Sequence, residues 1–157
     1  MGEINNKENI MSNKDVAKGL NKVIADTFVL YFKTHSFHWN VTGPRFKSLH
    51  EMFEEQYTEM WEALDILAER VRALGEYAAD NPNDLMKGAT LQHVGQTPDS
   101  EEMIDMLAND NREIVKTLKD GIKTAGENND DATEDMLIAR IQAHEQFAWM
   151  LESSKAA

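Results

Sequence analysis

The stretch LHEMFEEQYTEMWEALDILAERVRALG, Leu49 to Gly75, decides the fold. Its apolar residues Leu49, Met52, Phe53, Tyr57, Met60, Leu64, Leu67, Val71 and Leu74 recur at three- and four-residue intervals, the period of one helix face. Strand-like alternation is missing, so the stretch reads as a helix whose apolar stripe must be buried against other helices. Gly75 is suited to end it.

Outward from this helix the same period recurs. Upstream, Val16, Leu20, Val23, Thr27, Leu30 and Tyr31 define a helix from about Asp15 to Asn40, and Thr42, Gly43 and Pro44 form the turn between the two. Downstream, the pattern dissolves from Glu76 to Pro98, a connection too long for a tight turn, with a short helical turn expected at Asp84 to Lys87. A third helix is expected from Ser100, whose side chain supplies its cap, with Ile104, Leu107, Ile114, Val115, Leu118 and Ile122 on one side. Residues 126–131 break it, and a fourth begins near Thr133 with Met136, Leu137, Ile141, His144, Phe147, Ala148 and Leu151 inward. Two helical hairpins joined by a long crossover give an all-α, ferritin-like four-helix bundle, although the pattern alone fits other bundles too. Residues 1–14 are polar and read as a flexible N-terminal arm, leaving 15–157 as one bundle domain.

The 157 residues include no cysteine, which excludes disulfides, thiolate metal sites and thiol catalysis. Any metal must be held by His, Asp, Glu or backbone oxygen, a donor set that suits iron, manganese or zinc. Neither a signal-like apolar run nor a membrane span is found, so a cytoplasmic or nucleoid-associated protein without a membrane partner is expected. The net charge is -12, and residues 76–157 carry 17 of the 28 acidic but only 7 of the 16 basic residues. Such a surface favours cations over nucleic acid, although acidic excess also serves solubility alone.

On the second helix His50, Glu54, Asp65 and Glu69 each follow an apolar position and form a second stripe beside the first. His50 and Asp65 are separated by roughly 22 Å at the rise of a helix, so one ion cannot touch both. Two copies packed antiparallel about a twofold axis near Glu59 and Met60 would set His50 and Glu54 of one beside Asp65 and Glu69 of the other. His38 precedes the turn by about as much as His50 follows it, so the hairpin should bring both imidazoles together. The expected site is therefore His38 and His50 from one subunit with Asp65 and Glu69 from its twofold mate. By residue type alone, the same side chains equally suit the solvated shoulder of an amphipathic helix, with Glu69 paired to Arg70 or Arg72.

His38-Trp39-Asn40, Gly43, Phe46, Leu49-His50-Glu51 and Asp65-Ile66-Leu67-Ala68-Glu69-Arg70 together resemble the signature of the Dps family, the mini-ferritins called DNA-binding proteins from starved cells. The resemblance extends more weakly over the other helices. It implies a dodecameric shell with dinuclear iron centres at twofold interfaces, where His38, His50, Asp65 and Glu69 bind iron and Glu54 serves as a second-metal or shuttle carboxylate. It further implies a ferroxidase that oxidises Fe(II) with hydrogen peroxide, more slowly with oxygen, stores the ferric mineral and so protects DNA. Trp39, beside a proposed ligand, would intercept oxidising equivalents, and some of Asp130, Asp131, Glu134 and Asp135 would line an entry pore.

The competing expectation from the resemblance is a DNA-compacting structural protein with little iron chemistry. Its usual basic extension is lacking: Lys7 and Lys14 are offset by Glu3 and Glu8, and the C-terminus adds only Lys155, so direct DNA binding is expected to be weak or absent. An iron site inside each bundle is disfavoured, because no histidine has Glu three residues before it. His144 reads as a hydrogen-bonded core residue, His35 as incidental, His93 as unpartnered, and Trp61 as an anchor near the twofold axis.

Overall fold

The computed structural model describes residues 2–156, with side chains from residue 12 onward. Its helices are α1 (Gly2–Asn40), α2 (Phe46–Ala73), α3 (Pro82–Lys87), α4 (Ser100–Glu127) and α5 (Asp131–Ser153), and among the described residues there is no strand. α1 and α2 form one antiparallel hairpin, α4 and α5 the other, and α1 also packs along α4. The crossover between them carries α3, which rests on α1.

The apolar stripes meet as their spacing requires. Leu20, Val23 and Leu30 of α1, Phe53, Met60 and Leu67 of α2, Ile104, Leu107 and Ile114 of α4, and Leu137 and Leu151 of α5 join one buried core. Each such side chain contributes about 1.5–3 kcal/mol on leaving water, so the stripes fix how the four long helices face each other. Gly43 and Gly75 adopt φ values of 107° and 90°, a left-handed conformation that lets the chain reverse after α1 and leave α2.

Several boundaries differ from the sequence expectation. α1 begins at Gly2 rather than near Asp15, so the backbone of the expected arm continues the helix. The side chains of residues 1–11 lie outside the described residues, while Asn13 donates to the Leu74 carbonyl at the end of α2. The cap of α4 is Asp99, not Ser100: its carboxylate accepts from the Glu102 amide at 2.9 Å, and Glu102 accepts in return from the Asp99 amide. An ionised oxygen one residue earlier completes the reciprocal pair that a serine hydroxyl at 100 would leave open. α5 starts at Asp131, because Asp130 caps it through the Thr133 amide.

Polar groups inside the bundle set its register. Asp26 on α1, fully buried, accepts from the Thr90 amide at 2.6 Å, the Leu91 amide at 3.1 Å, and the hydroxyls of Thr90 and Thr117 at 2.7 Å each. One carboxylate thus fastens the crossover to α1 and α4. Lys33 and Asp110 form a buried pair at 2.5 Å between the same two helices; burial pushes the Asp110 carboxyl up, while the Lys33 ammonium pulls it down.

Candidate functional site

The end of the α1–α2 hairpin brings His38 and His50 face to face, with ring centroids 3.7 Å apart and planes 14° from parallel. Each ring is held by the other's backbone. His38 Nδ1 donates to the His50 carbonyl at 2.7 Å, and His50 Nδ1 donates to the His38 carbonyl at the same distance. A carbonyl can only accept, so both Nδ1 atoms carry the hydrogen and, in the neutral rings, both Nε2 atoms keep a lone pair. Fixing one ring nitrogen on a carbonyl to orient the other is the device that metal-binding imidazoles use. Phe46 stacks on His50 at 4.9 Å and covers its outer side, and His38 is only 8% exposed.

The carboxylates lie on the same helix but elsewhere. Glu54, Asp65 and Glu69 are exposed, and among the described residues none of them has a hydrogen bond or ion pair. The arginines that might have neutralised Glu69 are committed to other partners. Arg70 donates to Asp130 at 2.7 Å and to the Thr133 hydroxyl at 2.9 Å, while Arg72 reaches the Glu76 carbonyl and lies over the Tyr77 ring. Asp65 borders a groove lined by Ile24, Phe28, Trp61, Leu64 and Leu85, whereas Glu54 shares an open acidic face with Glu51, Glu55, Glu59 and Glu62. Among the described residues no three His, Asp or Glu side chains converge to hold a metal within one chain. Two free imidazole nitrogens thus lie roughly 22 Å along the hairpin from the two unpartnered carboxylates, too far for one ion to touch both within a single chain.

Beside the carboxylates α2 also exposes large apolar side chains. Trp61 is 58% and Ile66 55% exposed on α2, flanked by the Asp65 groove on one side and a groove of Ala63, Met136, Ala139 and Ala143 on the other.

His35, read as incidental from the sequence, is part of the site's wall. It stacks on Tyr57 at 3.7 Å and lies 4.3 Å from the Trp39 ring and 6.0 Å from His38. Burial, then the neighbouring His38, pushes its pKa down, against the upward pull of Glu54. Burial likewise raises the Tyr57 phenol, with Glu54 and Tyr31 adding to the shift. The missed signal was register: Tyr31 precedes His38 by as much as Tyr57 follows His50, so a hairpin that pairs the histidines also pairs the tyrosines.

Of the other singled-out residues, Trp39 is largely exposed and packs edge-on to Phe32. Asp130 is tied down as the α5 cap; burial pushes its carboxyl up, but the bonds from Thr133 and Arg70 outweigh that and hold it below the usual carboxylate range. Asp131 and Asp135 are exposed and Glu134 half-buried on the first turns of α5, where the helix dipole favours them. His144 is the structural core histidine its position suggests, bonded through Nδ1 to Asn111 Oδ1 at 2.8 Å. Arg140 lies between it and Glu59.

The chain matches the ferritin-like domain model over residues 17–154. It is 41% identical over 138 residues to a DNA protection during starvation protein of Brevibacillus brevis, covering 88% of this chain and 93% of that one. The crystal structure of a Dps protein from Bacillus brevis superposes with a TM-score of 0.87 at 39% identity, covering 91% of this chain and 96% of that chain. A Dps protein from Vibrio cholerae O1, described as a member of a superfamily of ferritin-like diiron-carboxylate proteins, superposes with a TM-score of 0.87 at 28% identity, covering 92% and 91%.

Proposed function

Because this chain belongs to the Dps proteins of the ferritin-like family, we propose that it is an iron-sequestering ferroxidase whose centres are shared between subunits of a hollow dodecamer. The observation that carries the reading is the reciprocal His38–His50 clamp, which leaves two Nε2 lone pairs side by side and, among the described residues, no carboxylate of the same chain to complete them. Antiparallel pairing of α2 with a second copy supplies Asp65 and Glu69, and does so twice by symmetry. Imidazole and carboxylate together suit ferrous iron and leave positions open for an oxidant.

Ferrous ions are the substrate. His38 and His50 take one side of the site, Asp65 and Glu69 of the second copy the other, and Glu54 lies on the acidic approach. Two ferrous ions give one electron each; the O–O bond of hydrogen peroxide accepts the pair, and its oxygens leave as hydroxide or water. Oxidation in pairs avoids the hydroxyl radical that a lone ferrous ion makes from peroxide, and the ferric product accumulates inside the shell. DNA is spared by removal of both reactants, without direct coating by this acidic chain, whose net charge is -12.

Replacing Asp65 by Asn and Glu69 by Gln together keeps size and polarity while removing both charges. The expected outcome in stopped-flow mixing is loss of rapid peroxide-dependent ferrous oxidation, with the particle mass unchanged. Undiminished oxidation by an intact assembly would reject the site.

A further inference from the structure

Between α2 and α5 a carboxylate and an imidazole share one cation. Glu59 projects about 120° around α2 from Asp65, so it stands clear of the ligand stripe. Its carboxylate accepts from both terminal nitrogens of Arg140, Nη1 at Oε1 and Nη2 at Oε2, the latter at 2.9 Å. Nη2 also lies 3.3 Å from His144 Nε2. His144 Nδ1 donates to Asn111 Oδ1 at 2.8 Å, so Nε2 keeps its lone pair and accepts from the guanidinium. A carboxylate oxygen and an oriented imidazole nitrogen thus converge on one positive atom, Arg140 Nη2, and the arginine is only 8% exposed. Helical bundles build metal sites from the same side chains on facing helices, with the second imidazole nitrogen fixed in just this way. The guanidinium does not use every donor nearby. Gln56, one turn before Glu59, is 1% exposed, and neither atom of its amide has a partner among the described residues. Because α2 and α5 run in opposite directions, Gln56 lies level with His144, one turn after Arg140.

We propose that Glu59, His144 and Gln56 form a metal-type site inside each chain, and that Arg140 is the resident cation that fills it and keeps divalent metal out. A guanidinium stays charged throughout the pH range in which the protein folds, so it does not vacate the site as a lysine does on losing its proton. A divalent ion entering along the groove of Ala63, Met136, Ala139 and Ala143 meets this positive charge instead of open donors. Removing the guanidinium turns the same side chains into ligands: a Glu59 oxygen, His144 Nε2 and the Gln56 amide oxygen, with water completing the set. The site lies within one chain, so it stands or falls independently of the ferroxidase reading. Where that reading holds, Arg140 also confines ferrous ions to the interface.

The test uses cobalt(II) as the probe, and the full-length assembly carrying His38→Ala and His50→Ala, so that the hairpin imidazoles cannot contribute. In that background Arg140→Ala and Arg140→Ser are compared with the parent that keeps Arg140. Equilibrium dialysis counts the bound cobalt, its visible d–d absorption reports imidazole ligation, and particle mass with helical circular dichroism checks assembly. Surface carboxylates take up cobalt in parent and variants alike, so the difference between them is what is read. The expected result is an additional equivalent of imidazole-bound cobalt per chain in both Arg140 variants. It is lost when Glu59→Gln or His144→Gln is added, and weakened by Gln56→Leu. An assembled Arg140 variant that gains no cobalt over the parent overturns the proposal, and so does a gain that survives His144→Gln. A variant that assembles only when cobalt is present supports it, whereas failure of both variants to assemble even with cobalt counts against it.

Discussion

Acid should loosen the bundle through one imidazole. His144 is fully buried, and its tautomer is fixed from outside. The Asn111 amide donates to the Leu107 carbonyl at 2.8 Å, which turns its oxygen towards His144 Nδ1. Nε2 therefore faces the Arg140 guanidinium at 3.3 Å with its lone pair, and protonating it would set two cations against each other. Burial first, then Arg140, lowers the His144 pKa to about 3 from an ordinary value of 6.5. Between those values the unfolded chain holds a proton that the folded chain refuses, so stability is complete above pH 6.5 and falls as the pH drops towards 3. At about 1.4 kcal/mol per unit, about 3 kcal/mol is gone by about pH 4.5 and about 4 kcal/mol by about pH 3, where the folded imidazole itself begins to take up the proton. The assay is denaturant unfolding at fixed protein concentration, from neutral pH to about pH 4.5, for the wild type and for His144→Gln, which cannot titrate. The variant should be the less stable at neutral pH, and the gap should narrow by about 3 kcal/mol at about pH 4.5. A gap that stays constant across that range would refute the reasoning.

Two further perturbations address the polar contacts that set the helices' register. Asp26→Ala strands the amides of Thr90 and Leu91 and the hydroxyls of Thr90 and Thr117. At about 1–3 kcal/mol per buried donor, partly recovered by entering water, a loss of about 2–4 kcal/mol is expected. Amide exchange at Thr90 and Leu91 should quicken; unchanged protection there contradicts the role assigned to Asp26. Lys33→Met leaves Asp110 as an unpaired buried carboxylate and should lower stability by about 3–5 kcal/mol, whereas Lys33→Met with Asp110→Leu should recover most of it. Equal losses in the single and double variants, measured by denaturation, would count against that view.

The fold was legible because long helices write their faces into sequence. The Leu49 to Leu74 stripe set α2, and the gap in pattern between Glu76 and Pro98 marked the crossover. The starts of α4 and α5 were matters of who donates to whom: Asp99 and Asp130 cap them through side-chain geometry that spacing does not fix. At the candidate site, symmetry about the Gly43 turn was enough to pair His38 with His50. It did not show that each ring is held by the other's carbonyl, which depends on backbone placement to within an ångström. His35 was passed over because its partners, Tyr31 and Tyr57, come from two helices and meet only once the hairpin closes. Nothing in the sequence sets Asp26 apart from other helix charges, and its burial follows from the crossover, whose path no periodicity describes.

Sharing of the site between two copies is tested most directly by subunit complementation. One variant carries His38→Ala and His50→Ala, the other Asp65→Asn and Glu69→Gln; each alone should be inactive in peroxide-dependent ferrous oxidation. Dissociating both and reassembling them as an equal mixture makes half of the pairs mixed, and each mixed pair holds one intact site and one doubly damaged site. Activity should therefore return to about one quarter of the wild-type value for random pairing about a twofold axis. A mixture as inactive as its components, with mixed pairs verified by mass, would mean that the histidines and carboxylates do not meet across two chains.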